Sequence, residues 1–487
     1  MIKKTKIVAT LGLVSDKKQV IKKMIEAGMN VARLNFSHSP HEWHGNVIDI
    51  IRELSEEMGV AIGILADLQG PRIRTVVNED VQIQSGDMIL VSDIFFAPNF
   101  KFPISNFQTI SNDQIPKIKQ FLLDVEKISS DIEVGNEILI EDGLISVVVK
   151  EKNNNVLLCE VIDGGTVKNH KGVNIPDAKL HINPITEKDE KDLAFVLSKN
   201  VDFIGMSFVS SGADIEMLRE KITQNLGRKN DLPQIIAKIE RKEAIKNLDD
   251  IIEHTDGVMV ARGDLGIEID GTKVAVLQKE IIKKSLQNMR PVIVATQMLN
   301  SMIENPRPTR AEVSDVTNAV VDHADAVMLS GESAGGKYPV ESVQTMKEII
   351  ENTEQSSFDD VKHLLDLNGE SDFKQIVRGA YDLAKNSTAK AIVLASVSGF
   401  TARLMSHFRS EKPLFVVTNN KTTFNQLPLV WGVEGFYTEE KELLKAIDEM
   451  IEYRKANSNL VAGDTVIMVL GSVPGGERMQ LMGVKTI

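Results

Sequence analysis

Eight short β-branched runs that alternate with amphipathic helical patterns predict an α/β protein built on a closed (β/α)8 barrel, the TIM architecture. Two further observations extend that class. Period-2 runs interrupt the alternation after the third unit and predict an inserted all-β domain, a β-barrel lid, while a separate α/β pattern follows the eighth unit.

The strand-like runs fall at 6–10, 30–36 and 61–67, and then at 202–208, 234–239, 257–260, 292–296 and 326–330, with helical patterns at 15–27 and 41–58 between the first three. Polar residues gather where the runs end: Arg33 and Asn35, Asp67, Ser207, Lys238 and Glu240, Arg262 and Asp264, Thr296, Ser330 and Glu332. In a (β/α)8 barrel this C-terminal rim is where chemistry sits, and independent solvated residues would not all fall on it.

The insert is read from alternating runs at 82–84, 88–91, 137–140, 144–149 and 156–161, separated by turns such as Ser85-Gly86-Asp87 and Asp142-Gly143. Helix-forming residues at 115–127 interrupt it, and a helix packed on the lid and a long excursion both stay open there. Hung over the rim, the insert is a candidate lid. A polar stretch at 354–372 reads as helix and linker, and beyond it helices at 373–385, 401–408 and 441–455 alternate with strands at 389–395, 414–417 and 465–469. The expected division is a barrel of 1–69 and 169–346, a lid of 70–168 and a C-terminal α/β domain of 347–487.

The composition of the 487 residues, 42% hydrophobic and 26% charged, is that of a globular protein. No apolar run reaches the roughly 18 residues of a membrane span, and the N-terminal residues lack the apolar core of a signal peptide, so a cytoplasmic protein is expected. The single Cys159 forms no intrachain disulfide, and a net charge of −13 argues against a nucleic-acid partner.

The strongest constellation is IAKIE at 236–240 with VARGDLG at 260–266. Glu240 and Asp264 offer carboxylates for Mg²⁺ or Mn²⁺, Lys238 supplies a compact positive charge for an anionic substrate, and Arg262 stands at the same strand end. The plainer alternative is a Lys238–Glu240 salt bridge, since residues two apart on a strand share a face. A second constellation joins NVARLNFSH at 30–38 to DLQGPRIRT at 67–75: Arg33 and Arg74 bring planar forks for phosphate, and Asn35, Ser37 and Asp67 bring oxygens for a monovalent cation. GESAGGKY at 331–338 nearly matches a phosphate loop, but Tyr338 stands where a small hydroxyl is needed, so these glycines shape the rim instead. Near the C-terminus, SVSGFT at 396–401 lies between strand and helix, where Ser398 or Thr401 could bind an anion or simply cap the helix.

Seven segments in order resemble the pyruvate kinase family over nearly the whole chain: KTKIVATLG at 4–12, NVARLNFSH at 30–38, KGVN at 171–174, IAKIE at 236–240, VARGDLG at 260–266, ATQML at 295–299 and NPRPTRAEV at 305–313. The resemblance implies phosphoryl transfer from phosphoenolpyruvate to ADP, giving ATP and an enolate that is protonated to pyruvate. It implies that Glu240 and Asp264 hold the divalent metal, that Lys238 steadies the phosphoryl group in flight, and that Arg33 contacts it. Gly263, Asp264 and Thr296 would hold the substrate carboxylate, with Thr296 near the path of the incoming proton; His38, Arg74 and Lys171 would face the nucleotide, and Asp142 its Mg²⁺. A sugar-phosphate effector at Ser396, Ser398 and Thr401, beside the variable stretch at 471–476, and a homotetramer are implied likewise.

One departure stands out. Potassium-dependent members carry threonine, lysine and glutamate where this chain has Leu68, Gln69 and Arg72. Two unit charges about 4 Å apart interact by about 4 kcal/mol at an effective dielectric of about 20, so Arg72 is expected to stand in for K⁺, leaving Asn35, Ser37 and Asp67 without that ion. Two rivals stay open at this level: a metal-dependent carbon-carbon lyase on a related barrel, and a non-catalytic paralogue that binds sugar phosphates.

Overall fold

The computed structural model describes residues 3–94, 118–359, 371–457, 460–471 and 481–487. Eight parallel strands close into a barrel in the order Lys6–Thr10, Val31–Asn35, Gly63–Asp67, Phe203–Met206, Gln234–Ile239, Gly257–Ala261, Val292–Ala295 and Ala326–Leu329. Every run expected to be a barrel strand is one. Their outer faces pack against helices such as Lys18–Ala27, His41–Met58, Glu187–Ser198 and Val274–Gln287 in one large apolar cluster. Val8, Val31, Leu65, Phe203, Ile236, Met259 and Ile293 fill the interior, and Leu429 from the C-terminal domain joins that packing. The barrel is therefore a solid floor rather than a pore.

The insert closes on itself as a seven-stranded barrel: Val156–Asp163, Met88–Asp93, Lys119–Leu123, Ile73–Val76, Gly172–Asn174, Glu137–Ile140 and Ile145–Asn153 in neighbour order. Its last strand lies past residue 168. Of the stretch at 115–127 left open between helix and excursion, Lys119–Leu123 is neither but a strand that pairs parallel with Met88–Asp93 and antiparallel with Ile73–Val76. Phe121 and Leu123 join the lid core, so tertiary burial overrides local helix preference. Residues 115–117 lie outside the described residues, and a single helical turn follows at Ile128–Asp131.

The C-terminal domain is a five-stranded sheet in the order Val433–Tyr437, Leu414–Thr418, Ala391–Ala395, Thr465–Leu470 and Leu481–Thr486, the last strand antiparallel. Its first and last strands were not anticipated. The expected helix and linker at 354–372 is described only at its ends, where the helix Pro339–Glu354 stops and the helix Asp372–Lys385 begins. No helix among the described residues is long and apolar enough to cross a membrane.

Arg409 ties this domain to the base of the barrel. It donates from Nη1 to Asp325 Oδ1 at 3.0 Å and from Nη2 to the His323 carbonyl at 2.8 Å, and stacks over Trp431 at 4.8 Å. Both charged side chains are buried. Arg409→Met leaves Asp325 buried without its partner, and a loss of about 3–5 kcal/mol is expected; urea unfolding followed by Trp fluorescence reads it, and an unchanged midpoint would contradict the assignment.

Candidate active site

Strand alternation builds the site. Residues two apart share a face, so the inward positions of Val8, Val31, Leu65 and Ile236 carry Thr10, Arg33, Asp67 and Lys238 into the next layer, with Asn35 and Glu240 above them. These polar groups rest directly on the apolar floor. Gly205 makes room among them, because a Cβ there would come within 3.0 Å of Asp67 Oδ1.

Four buried charges meet in this layer. Arg33 donates to Asp67 Oδ2 from Nε at 2.8 Å, with Nη2 at 2.6 Å, and to Thr10 Oγ1 from Nη1 at 2.9 Å. Lys238 Nζ donates to Ser207 Oγ at 2.7 Å and stands 2.7 Å from Glu240 Oε1 and 3.3 Å from Asp67 Oδ1. Ser207 Oγ in turn donates to the Leu68 carbonyl at 2.8 Å, and Glu240 Oε2 accepts from the Phe208 N–H at 2.8 Å. Asp67 Oδ1 accepts no hydrogen bond from the described residues. The simple Lys238–Glu240 salt bridge thus exists, but inside a larger constellation.

Burial works against each charge, and the neighbours decide the outcome. It would raise the Asp67 carboxyl, yet Lys238 and Arg33 outweigh it and hold the group below its ordinary value. It disfavours the Lys238 ammonium, yet Asp67 and Glu240 hold that pKa above the usual lysine value. For Glu240 burial wins: the carboxyl is pushed up to about 7, with Asp264 repelling and Lys238 opposing. Asp264 sits in the first turn of the short helix Arg262–Glu268. Two carboxylates whose charges repel, presenting only oxygen, are a donor set that fits a hard divalent cation.

Thr296 is held in the left-handed region at φ 68°, a strained setting for a β-branched residue. Its Oγ1 accepts from the Gly263 N–H at 2.8 Å, and its carbonyl accepts from Arg262 Nη2 at 2.6 Å. Arg262 is locked in turn by Asp315, with Nη1 and Nη2 each 2.8 Å from a carboxylate oxygen. Arg262 stands at the strand end beside Asp264 as expected, and its guanidinium there braces Thr296 and is spent on Asp315.

Around this centre the expected nucleotide and cation residues are spread over two bodies. His38 is exposed in the loop after the second barrel strand, Arg74 lies half-buried on the lid strand Ile73–Val76, and Lys171 immediately precedes the lid strand Gly172–Asn174. Lys171 is ion-paired with Glu141, a partner that sequence reasoning missed although it adjoins Asp142. Glu141, Asp142 and Gly143 take φ of 53°, 58° and 83°, a tight turn that places Asp142 on an open cleft together with Arg72, Gly263 and Asp264. Arg72 lies against Gly172, where a Cβ would meet its Nη2 at 3.0 Å. Asn35 Oδ1 accepts from the Ser37 N–H at 3.0 Å, so of Asn35, Ser37 and Asp67 two already spend oxygens on protein partners.

In the C-terminal domain the helix Phe400–Ser406 is preceded by Gly399 at φ 75°, and neither Ser398 nor Thr401 caps it. Ser398 is exposed, Ser396 Oγ is buried with no hydrogen-bond partner among the described residues, and Thr401 is buried near Gly471. Residues 472–476 lie outside the described residues. The glycines after the eighth strand form the short helix Gly331–Ala334, where Glu332 accepts from the Leu299 and Ser330 N–H groups, a rim element as expected.

Comparison with known proteins places this geometry. The family models described as "Pyruvate kinase, barrel domain" and "Pyruvate kinase, alpha/beta domain" match residues 2–343 and 374–482. The chain is 40% identical to the pyruvate kinase of Geobacillus stearothermophilus, over 98% of this chain and 79% of that protein, and 39% identical to that of Bacillus licheniformis, over 100% and 81%. A crystal structure of a pyruvate kinase from Cryptosporidium parvum superimposes with a TM-score of 0.87 at 32% identity, covering 99% of this chain and 96% of that one. With a barrel, lid and C-terminal domain all matched, the chain belongs to the pyruvate kinase family.

Proposed function

We infer that this protein transfers a phosphoryl group from phosphoenolpyruvate to ADP, releasing ATP and an enolate that becomes pyruvate. The observation that carries the reading is the Lys238 ammonium held between Asp67, Glu240 and Ser207 on the barrel rim, beside a second carboxylate and a fixed guanidinium. Phosphoryl transfer asks the protein for position and charge more than for covalent chemistry. Lys238 would neutralise charge on the phosphoryl oxygens as the bond to the enol oxygen breaks. Arg33, oriented by Asp67 and Thr10, would hold the same group from the opposite side. The Gly263 N–H occupies a lone pair of Thr296 Oγ1 and leaves the hydroxyl proton free to point at the substrate.

Glu240 and Asp264 are the residues that would hold the family's divalent metal, which when bound supplies a Lewis acid for substrate oxygens and for the enolate. His38, Arg74 and Lys171, with Asp142 from the lid, would receive the nucleotide, and lid closure would exclude water. The reading that the chain needs no K⁺ rests on Arg72, the cation that stands where potassium-dependent members carry glutamate. A sugar phosphate at Ser396, Ser398 and Thr401 and a homotetramer complete the proposal. A lyase is disfavoured by the family membership and the lid barrel, and a non-catalytic paralogue by the presence of Lys238, Glu240, Asp264, Arg33 and Thr296 together.

Three outcomes are expected. Lys238→Met should lower kcat by about 10³-fold or more in a coupled assay of pyruvate release while Mn²⁺ still binds, and a fully active variant would remove the assigned role. Because Glu240 must lose its proton to ligate, and its pKa is about 7, Mn²⁺ affinity measured by EPR should weaken as pH falls below about 7, by up to about tenfold per unit; a flat profile from pH 6 to 8 would contradict it. With tetramethylammonium as the sole monovalent cation turnover should persist, and Arg72→Glu should make it depend on added K⁺; collapse of the unmodified enzyme without K⁺ would sink the idea.

A further inference from the structure

The helix Glu187–Ser198, the first element after the chain returns from the lid, grips two other segments with consecutive residues. Its start is fixed by a capping box in which Thr186 N–H and Oγ1 donate to Asp189 Oδ2 at 2.9 and 2.6 Å and the Asp189 N–H donates to Thr186 Oγ1 at 3.1 Å. The other carboxylate oxygen of Asp189, a residue only 1% exposed, accepts from the Gly70 N–H at 3.1 Å. Gly70 is the turn by which the chain leaves the barrel for the lid. Its φ of 69° and a Cβ position 3.0 Å from Ser207 Cβ would strain any side chain there. Both crossings of the lid hinge are thus tied at one carboxylate, next to the serine that accepts from Lys238.

The neighbouring residue reaches the opposite way. Lys188 Nζ donates to the Phe36 carbonyl at 2.5 Å and to Asp192 Oδ2 at 2.6 Å, while Asp192 Oδ1 stands 2.6 Å from His41 Nε2. Phe36 stacks on His44 at 4.0 Å, and His44 Nε2 bonds the His38 carbonyl at 2.9 Å, with burial holding the ring's pKa below the ordinary histidine value. The backbone carbonyls at both ends of the 36–38 loop are therefore fixed from outside it. Ser37 and His38 belong to that loop, and Asn35 ends the strand that leads into it.

We propose that Lys188 and Asp189 are positioning residues that set the nucleotide-facing loop at 35–38 in fixed relation to the lid hinge, so that ADP binding and lid closure act on one joint. The proposal rests on the reading that His38 faces the nucleotide. A lysine at position 188 is needed for its reach and charge, because the bond to a carbonyl from a charged donor is worth more than a neutral one.

Steady-state kinetics of the full-length protein, varying ADP and phosphoenolpyruvate separately, tests it. Lys188→Met should raise KM for ADP by about tenfold with KM for phosphoenolpyruvate changed by less than about twofold, and Lys188→Arg should restore most of the loss. Asp189→Ala should give the same split. An equal rise in both KM values with a lowered melting temperature, unrepaired by arginine, would mark Lys188 as a purely structural residue and overturn the proposal. His38→Ala separates the two readings. If it raises KM for ADP while Lys188→Met does not, the joint is wrong and the loop reading stands; if neither variant changes KM for ADP, the nucleotide reading of the loop fails and the joint with it.

Discussion

The site depends on keeping two cations and two carboxylates charged where water is scarce. Arg33, Asp67 and Lys238 form a connected row of ion pairs, and Glu240 ends it. An isolated ion there would cost several kcal/mol, and the row persists because each member has an opposite charge or an aligned N–H within hydrogen-bond reach. The exception is informative. Glu240, furthest along the row and repelled by Asp264, is the acid of this row that burial lifts, to about 7.

That row also sets conditions on the backbone around it. Gly205 stays small so that Asp67 can lie against the fourth strand, and Gly70 turns beneath Ser207, whose oxygen accepts from Lys238. The strain at Thr296 is held by the Arg262–Asp315 fork, a brace outside the charged layer. At the far end of the barrel Leu429 and Arg409 connect the floor to the C-terminal domain, so the rigidity of the charged layer draws on contacts from two domains.

Much of this was legible in the residues because a barrel strand is a period-2 message. Once Ile236 faces inward, Lys238 must too, and the same count takes Val31 to Arg33 and Leu65 to Asp67. What stayed hidden depends on long-range placement. The strand Lys119–Leu123 reads locally as helix and is decided by partners at Met88–Asp93 and Ile73–Val76, and Gly172–Asn174 is too short to signal itself. Arg262 looked like a rim cation, but its acceptor, Asp315, lies 53 residues on. Lys188 carries no motif of its own that announces Phe36, 152 residues earlier, as its acceptor.

The central claim is that Asp67 and Lys238 act as one charged unit, the carboxylate holding the ammonium where transfer needs it. A double-mutant cycle on kcat with Asp67→Asn, Lys238→Met and the combined variant tests this most directly. If the pair is a unit, the double variant falls well short of the product of the two single effects, and the part of the Asp67 loss that persists without the lysine is the part it plays through Arg33. Losses that multiply, so that the double variant falls by the product of the two single effects, would contradict the account.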